Sequence, residues 1–146
     1  MNPSVVSLNT AAAIGNLPEV QGFVRYQAEK AGAQETLQSR LELVVEELFV
    51  NIVEYSQSAA AQQPAAVEIR CHKQTSPDNS DQFFCIAFHD WGLAFNPLEQ
   101  PTPSLDTDVE ARQIGGLGIF LVNHMADFCS YSREQESNQF QACFRL

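Results

Sequence analysis

Three groups of residues in this sequence have types and spacings that chemistry can use. Glu47 and Asn51 stand one helical repeat apart in the segment ELVVEELFVNIVEYS. On a helix turning ~100° per residue they lie roughly 40° apart, with Glu54 on the same flank and Glu46 across the stripe. A carboxylate there can orient or deprotonate a nucleophile, and a carboxamide oxygen can ligate Mg²⁺. Asp90-Trp91-Gly92 closes an apolar run. A carboxylate at a strand end can accept a hydrogen bond from an exocyclic amine, and the glycine lets a flat ring approach the backbone. Gly115-Gly116-Leu117-Gly118 opens an amphipathic segment, where bare backbone N–H groups and the helix dipole favour an anion such as phosphate. Taken singly, each group also has an ordinary reading: a solvated helix rim, a strand-ending turn, a hinge and cap. The glycine run is not a dinucleotide fingerprint, for it has no third glycine at the required position. Nor is it a Walker A loop, for no Gly-Lys-Ser/Thr follows.

The elements that must position these residues follow from periodicity. Val5, Val6 and Leu8 suggest a short first strand. Asn16 is placed to cap a helix over 17–30, striped by Val20, Phe23, Val24 and Gln27 and stopped at Gly32. A second helix over 36–57 carries Leu41, Val44, Val45, Leu48, Ile52 and Tyr55 at helical spacing, the strongest periodic signal in the chain. Val67, Ile69 and Cys71 alternate with Glu68, Arg70 and His72, as in a half-buried strand. The polar stretch 75–81 is a turn, and 83–89 is a near-continuous apolar strand with both faces covered. The pair makes an antiparallel hairpin. Residues 96–113 hold three prolines and four acidic side chains and read as a long mobile loop, a length that is usually functional. A helix begins within 115–118 and runs through Ile119, Leu121, Val122 and Met125. Two strands end the chain, 128–131 and 139–146, with a turn at Ser137-Asn138 and with Phe140, Ala142, Phe144 and Leu146 facing inward. The expected fold is an α/β (α+β) two-layer sandwich. Its mixed, mostly antiparallel sheet is covered on one face by about three helices.

Composition bounds what such a domain does. A chain of 146 residues, 45% apolar, makes one globular domain spanning 1–146 with no internal repeat. No stretch reaches the ~20 apolar residues of a membrane span, and the first residues lack a signal-peptide pattern, so a cytoplasmic protein is expected. With 18 acidic against 8 basic residues the formal charge is −10, which argues against nucleic acid as a partner. The same charge repels ATP at long range, so a nucleotide site here depends on local N–H groups and a divalent cation. Cys71, Cys85, Cys129 and Cys143 form no CxxC pair and are expected to be reduced core thiols. His72, His89 and His124 show no metal-ligand spacing, so no structural zinc is expected.

In order along the chain, the three motifs resemble the GHKL ATPase superfamily: helix Glu-x-x-x-Asn, strand-Asp-x-Gly, and a lid loop ending in Gly-Gly-x-Gly before a helix. They read ELVVEELFVNIVEYS, FHDWGLAFNP and QIGGLGIFLVNHMADF. Within that superfamily, which includes gyrase-type and histidine-kinase ATP-binding domains, the short lid and GGLGIFLVNHMAD followed by two strands most resemble the anti-sigma-factor serine/threonine kinases. Relatives often carry Asn-Ala-x-x-His where this chain has Asn51-Ile52-Val53-Glu54-Tyr55, and Trp91 is bulkier than the usual residue between Asp and Gly.

The resemblance implies a Bergerat-type ATP-binding fold with ATP and Mg²⁺ as cofactors. Asn51 would ligate the Mg²⁺ that bridges the phosphates, and Glu47 would be the catalytic base on an acceptor serine. Asp90 would accept the adenine amino group, with Gly92 lining the ring. Gly115, Gly116, Leu117 and Gly118 would hold the phosphates beneath the lid, and Arg112, a cation near the lid's end, would either reach a terminal phosphate or stay solvated. The implied function is transcription regulation by partner switching: the kinase holds either a sigma factor or an anti-anti-sigma STAS-domain protein, which it phosphorylates. A homodimer is expected from the same resemblance. Two alternatives stay open: a non-catalytic ATP-binding module that sequesters a regulatory partner, and a serine kinase in a relay unrelated to sigma factors. A full histidine kinase or gyrase-like enzyme is not expected, because the chain leaves no room for a phosphoacceptor or transducer domain.

Overall fold

In the computed structural model the described residues are 5–57, 65–99 and 116–146, with side chains described for all of these but 116–120. Strand β1 (Val6–Ala11) leads through a short 3-10 turn into helix α1 (Leu17–Ala31) and then helix α2 (Glu35–Gln57). A hairpin follows, β2 (Ala66–Thr75) and β3 (Gln82–Asp90), then helix α3 (Gly116–Met125) and a second hairpin, β4 (Phe128–Glu134) and β5 (Ser137–Arg145). The five strands form one sheet in the order β1-β2-β3-β5-β4. Every pairing among these strands is antiparallel, so the expected mixed sheet is in fact uniform.

Asn16 takes the N-cap position of α1, but its side chain makes no capping bond. Its Nδ2 instead donates to the Ala11 carbonyl at 3.0 Å and ties the helix start to the end of β1. Pro18 in the first turn needs no donor partner there. At the other end Gly32 adopts φ 96°, a left-handed cap that a side chain would strain.

Helix α2 follows its predicted stripe with a wider buried face. Leu41, Val44, Val45 and Leu48 are buried, and so are Phe49 and Val53, while Tyr55 is exposed. The widening follows from position: α2 lies between α1 and α3 and is covered on two sides as well as by the sheet. The sheet supplies Val67, Ile69, Cys71, Phe84, Ile86, Phe88, Phe140, Ala142 and Phe144 to the same core. The three helices therefore cover one face, as the patterning predicts.

On the opposite face Cys85, Ala87, His89 and Cys143 are also buried, outside the main core cluster. Here the expectation of four reduced thiols fails. Antiparallel pairing sets Cys85 directly across from Cys143, with Cα atoms 4.1 Å apart, and the two form a disulfide. Only the pairing register reveals this, because 58 positions separate them in sequence. Cys71 and Cys129 remain free thiols, pushed up by burial to about 12 and about 11 respectively.

The β4–β5 turn is also displaced from its expected place. Glu134 pairs with Ser137, leaving Gln135 and Glu136 as the two loop residues, at φ 49° and 66°. These are the left-handed values that a two-residue hairpin requires. Ser137 and Asn138 are thus buried strand residues, and Leu146, expected inside, is 37% exposed. Of the expected loop at 96–113, residues Pro97–Glu99 form a short 3-10 turn, and the remainder lies outside the described residues.

Candidate nucleotide site

A cleft opens where α2 crosses the ends of β3 and β5. Its helical wall is Leu48, Asn51, Ile52 and Tyr55. Its sheet wall is Phe88, Asp90, Tyr131, Asn138 and Phe140, and the segment after β3 closes it with Gly92, Leu93, Phe95 and Pro97. The Tyr55 and Phe95 rings meet across it at a centroid distance of 4.0 Å. An apolar slot with a few convergent polar groups is the usual form of a small-molecule site. Among the described residues its lining includes one carboxylate and no cationic side chain.

Asp90 is the last residue of β3, opposite Val67 on one side and Asn138 on the other. Its Oδ1 accepts from the Gly92 backbone N–H at 3.0 Å and from Asn138 Nδ2 at 3.0 Å. A Cβ on Gly92 would come within 3.1 Å of that same oxygen, so the glycine serves the carboxylate turn as well as leaving space for a ring. Trp91 points away, half exposed and outside the lining, and its bulk leaves the slot unobstructed.

Asn51 reaches the same cleft from α2. It is 6% exposed, and its Nδ2 is buried without a hydrogen-bond partner. A buried amide left unsatisfied in a native fold calls for an explanation, and here it faces a cavity able to hold a ligand. The amide rotates readily, so the same position can present its oxygen to a hard cation. No cluster of three or more His, Cys, Asp or Glu among the described residues could hold a metal. A cation at Asn51 would therefore take its other ligands from phosphate and water, and the residues present fit that arrangement.

Glu47 sits one turn before Asn51, half-buried and outside the cleft lining. Burial raises its pKa above the ordinary carboxylate value, and the nearby charges of Glu46 and Glu54 raise it further. Gly116, Leu117 and Gly118 form the first turn of α3, a helix that packs on α2 and on the turn containing Pro97. The N–H groups of a first helical turn have no intrahelical partners. Arg112 and Gly115 lie outside the described residues. The structure thus brings Asn51, Asp90 and Gly92 together, with Glu47 one turn away on the same helix as Asn51 and the start of α3 on a neighbouring element.

Sequence reasoning missed Asn138, which is 5% exposed. A signal was present: Asn138 is in phase with Phe140, Ala142 and Phe144, so a polar residue occupies the inward side of a strand. It was obscured by assigning the turn there. The contact between Tyr55 and Phe95 has no sequence signal, since it depends on the path of the loop.

A two-layer sandwich with an Asp-x-Gly at the end of a central strand and an amide-bearing helix across it belongs to the GHKL class of ATP-binding folds. Residues 10–144 match the histidine kinase-like ATPase domain family, and the chain belongs to that family. A solved structure of the RsbU and RsbW domains of Rv1364c from Mycobacterium tuberculosis is similar, with a TM-score of 0.58 and 13% identity over 98% of this chain. This chain spans 32% of the length of that one. No curated protein matches the chain. No helix among the described residues is long and apolar enough to cross a membrane.

Proposed function

We propose that the protein is an ATP-dependent serine kinase that acts as an anti-sigma regulatory factor, phosphorylating a STAS-type antagonist and thereby switching between it and a sigma factor. The observation that carries the reading is the convergence of Asp90 and the unsatisfied Asn51 on one apolar cleft, with Glu47 a turn away. Family membership supports ATP binding, and the likeness to a chain containing an RsbW domain supports the choice of subgroup.

In this reading Asp90 accepts the adenine amino group through the oxygen that Gly92 and Asn138 leave free, and the Phe88, Phe140 and Ile52 side chains enclose the ring. Asn51 holds the divalent cation. When bound, Mg²⁺ offsets phosphate charge and fixes the phosphates relative to the acceptor. Glu47 takes the proton from the serine hydroxyl as the new Oγ–P bond forms, the bond to the bridging oxygen breaks, and ADP leaves. A carboxylate whose pKa is raised toward neutrality is better matched to that proton transfer than an ordinary one. The glycines 115, 116 and 118 are assigned to the phosphates on the resemblance alone, and Arg112 only on its place in the sequence near the lid's end.

The position of Glu47 outside the cleft lining favours, as a second reading, a module that binds ATP and sequesters its partner without transferring phosphate. One experiment separates the two. The protein is incubated with Mg²⁺ and γ-labelled ATP and with candidate STAS-domain proteins. Label on an antagonist serine, lost in Glu47→Ala, is the expected result. ATP binding with no transfer to any candidate would favour the sequestering module, and no nucleotide binding would remove both.

A further inference from the structure

The Asn138 side chain makes five hydrogen bonds beside the cleft, three of them to Asp90 and to the segment that follows it. Its Nδ2 donates both protons, one to Asp90 Oδ1 at 3.0 Å and one to the Leu93 carbonyl at 2.8 Å. Its Oδ1 accepts from Arg133 Nη1 at 3.2 Å, from the Phe95 backbone N–H at 3.3 Å and from the Tyr131 hydroxyl. Arg133 Nη1 also donates to the Gly92 carbonyl at 2.9 Å. The amide has one orientation only. Turned over, it would set an oxygen against a carboxylate and a carbonyl, and an NH₂ against a backbone N–H and a guanidinium.

From this geometry we infer that Asn138 is a positioning residue that sets nucleobase selectivity, an inference that rests on the nucleotide-binding reading above. Asp90 has two oxygens, and Asn138 with the Gly92 N–H occupies Oδ1 completely enough to fix the carboxylate plane. Oδ2 is then the carboxylate oxygen left to accept from a ligand in the slot that Asp90 lines. The same side chain anchors the Leu93 and Phe95 backbones, so the loop that bears Phe95 against Tyr55 is held at a set distance from the acceptor. Loss of the amide frees Asp90 to rotate and the loop to retreat. Selection of an amino-bearing base over a keto-bearing one then weakens. Contacts at the phosphate end, which Asn138 does not touch, are unchanged.

The test is equilibrium binding of Mg·ATP and Mg·GTP to the intact protein and to Asn138→Asp, with Arg133→Ala as a second variant. Arg133 lies on an exposed edge strand, so this change keeps the fold even where Asn138→Asp does not. The wild type is expected to prefer ATP. Asn138→Asp sets two carboxylates face to face and is expected to lose ATP affinity by about 10–100-fold, the range for a lost hydrogen bond to a charged group, with GTP affinity little changed. Arg133→Ala is expected to lower the ATP-to-GTP ratio by a smaller factor. A parallel loss for both nucleotides, or an unchanged ratio in Arg133→Ala, would overturn the inference and assign Asn138 a role in folding alone, while leaving ATP binding intact. Failure of the wild type to bind either nucleotide would overturn the inference together with the functional reading beneath it.

Discussion

Replacing Asp90 by asparagine tests the nucleotide site at its most defined point. Oδ1 of Asp90 already accepts from two donors, the Gly92 N–H and Asn138 Nδ2, each at 3.0 Å. Both contacts demand an acceptor, so the oxygen of the new amide must take the Oδ1 place and its NH₂ must take the Oδ2 place. The fold keeps its contacts, but the slot now presents a donor where the adenine amino group also presents one. The loss has two parts. A hydrogen bond to a charged acceptor is worth ~1.5–3 kcal/mol, and a buried donor left facing a donor costs a further ~1–3 kcal/mol. Allowing for partial relaxation in a half-open cleft, the net effect is ~2–4 kcal/mol, a fall in ATP affinity of roughly 30–1,000-fold.

The same geometry predicts a gain. A keto-bearing purine offers an acceptor at that position, so inosine triphosphate is expected to bind Asp90→Asn better than it binds the wild type. Titration calorimetry with Mg·ATP and Mg·ITP measures both, and a thermal midpoint close to that of the wild type confirms the fold. ATP affinity within threefold of the wild type would refute the assignment of Asp90 as the base acceptor. A parallel change for both nucleotides would show that the substitution acts on the cleft as a whole.

Further outcomes follow from other residues. Glu47→Ala is expected to retain ATP binding and to slow serine phosphorylation by about 10²–10⁴-fold, the usual contribution of a general base, in a single-turnover transfer assay. Asn51→Leu removes a buried amide that has no partner, so chemical denaturation should show a gain of ~1–3 kcal/mol, while Mg²⁺-dependent enhancement of ATP binding disappears. The raised pKa of Glu47 places the acid limb of the transfer rate at higher pH than an ordinary carboxylate would, and Glu46→Gln should move that limb downward by removing one of the charges that raise it. The pKa of His89 is lowered by burial and by Arg70, against the opposing pull of Glu68, Asp90 and Glu134. The folded state then binds fewer protons than the unfolded one just below the ordinary value of 6.5, so stability should fall as pH drops through that window, and His89→Gln should flatten the slope. Alkylation without reductant should leave Cys85 and Cys143 unlabelled, since they are paired, and free thiol at both positions would refute that pairing.

The fold was legible wherever a residue's position in a period decides its face. The α2 stripe and the β2 alternation each count many side chains, and a helix or strand that violated them would expose several buried residues at once. What was lost depended on pairing or on single residues. The β4–β5 turn falls on Gln135 and Glu136, residues without the usual turn chemistry, held at positive φ by the strands on either side rather than by their own preference. A shift of two residues in that turn was enough to hide Asn138, because a polar side chain next to a supposed loop needs no explanation. Assigned instead to the inward phase of β5 beside Phe140, the same asparagine needs buried partners. It finds five, three of them (Asp90, Leu93 and Phe95) in the Asp-x-Gly motif and the loop that follows it. The motif residues Asp90 and Gly92 therefore carry chemical identity, but their geometry is set from β4 and β5, about forty residues away in the chain. That separation is why the motifs alone were legible as a site and the groups that orient them were not.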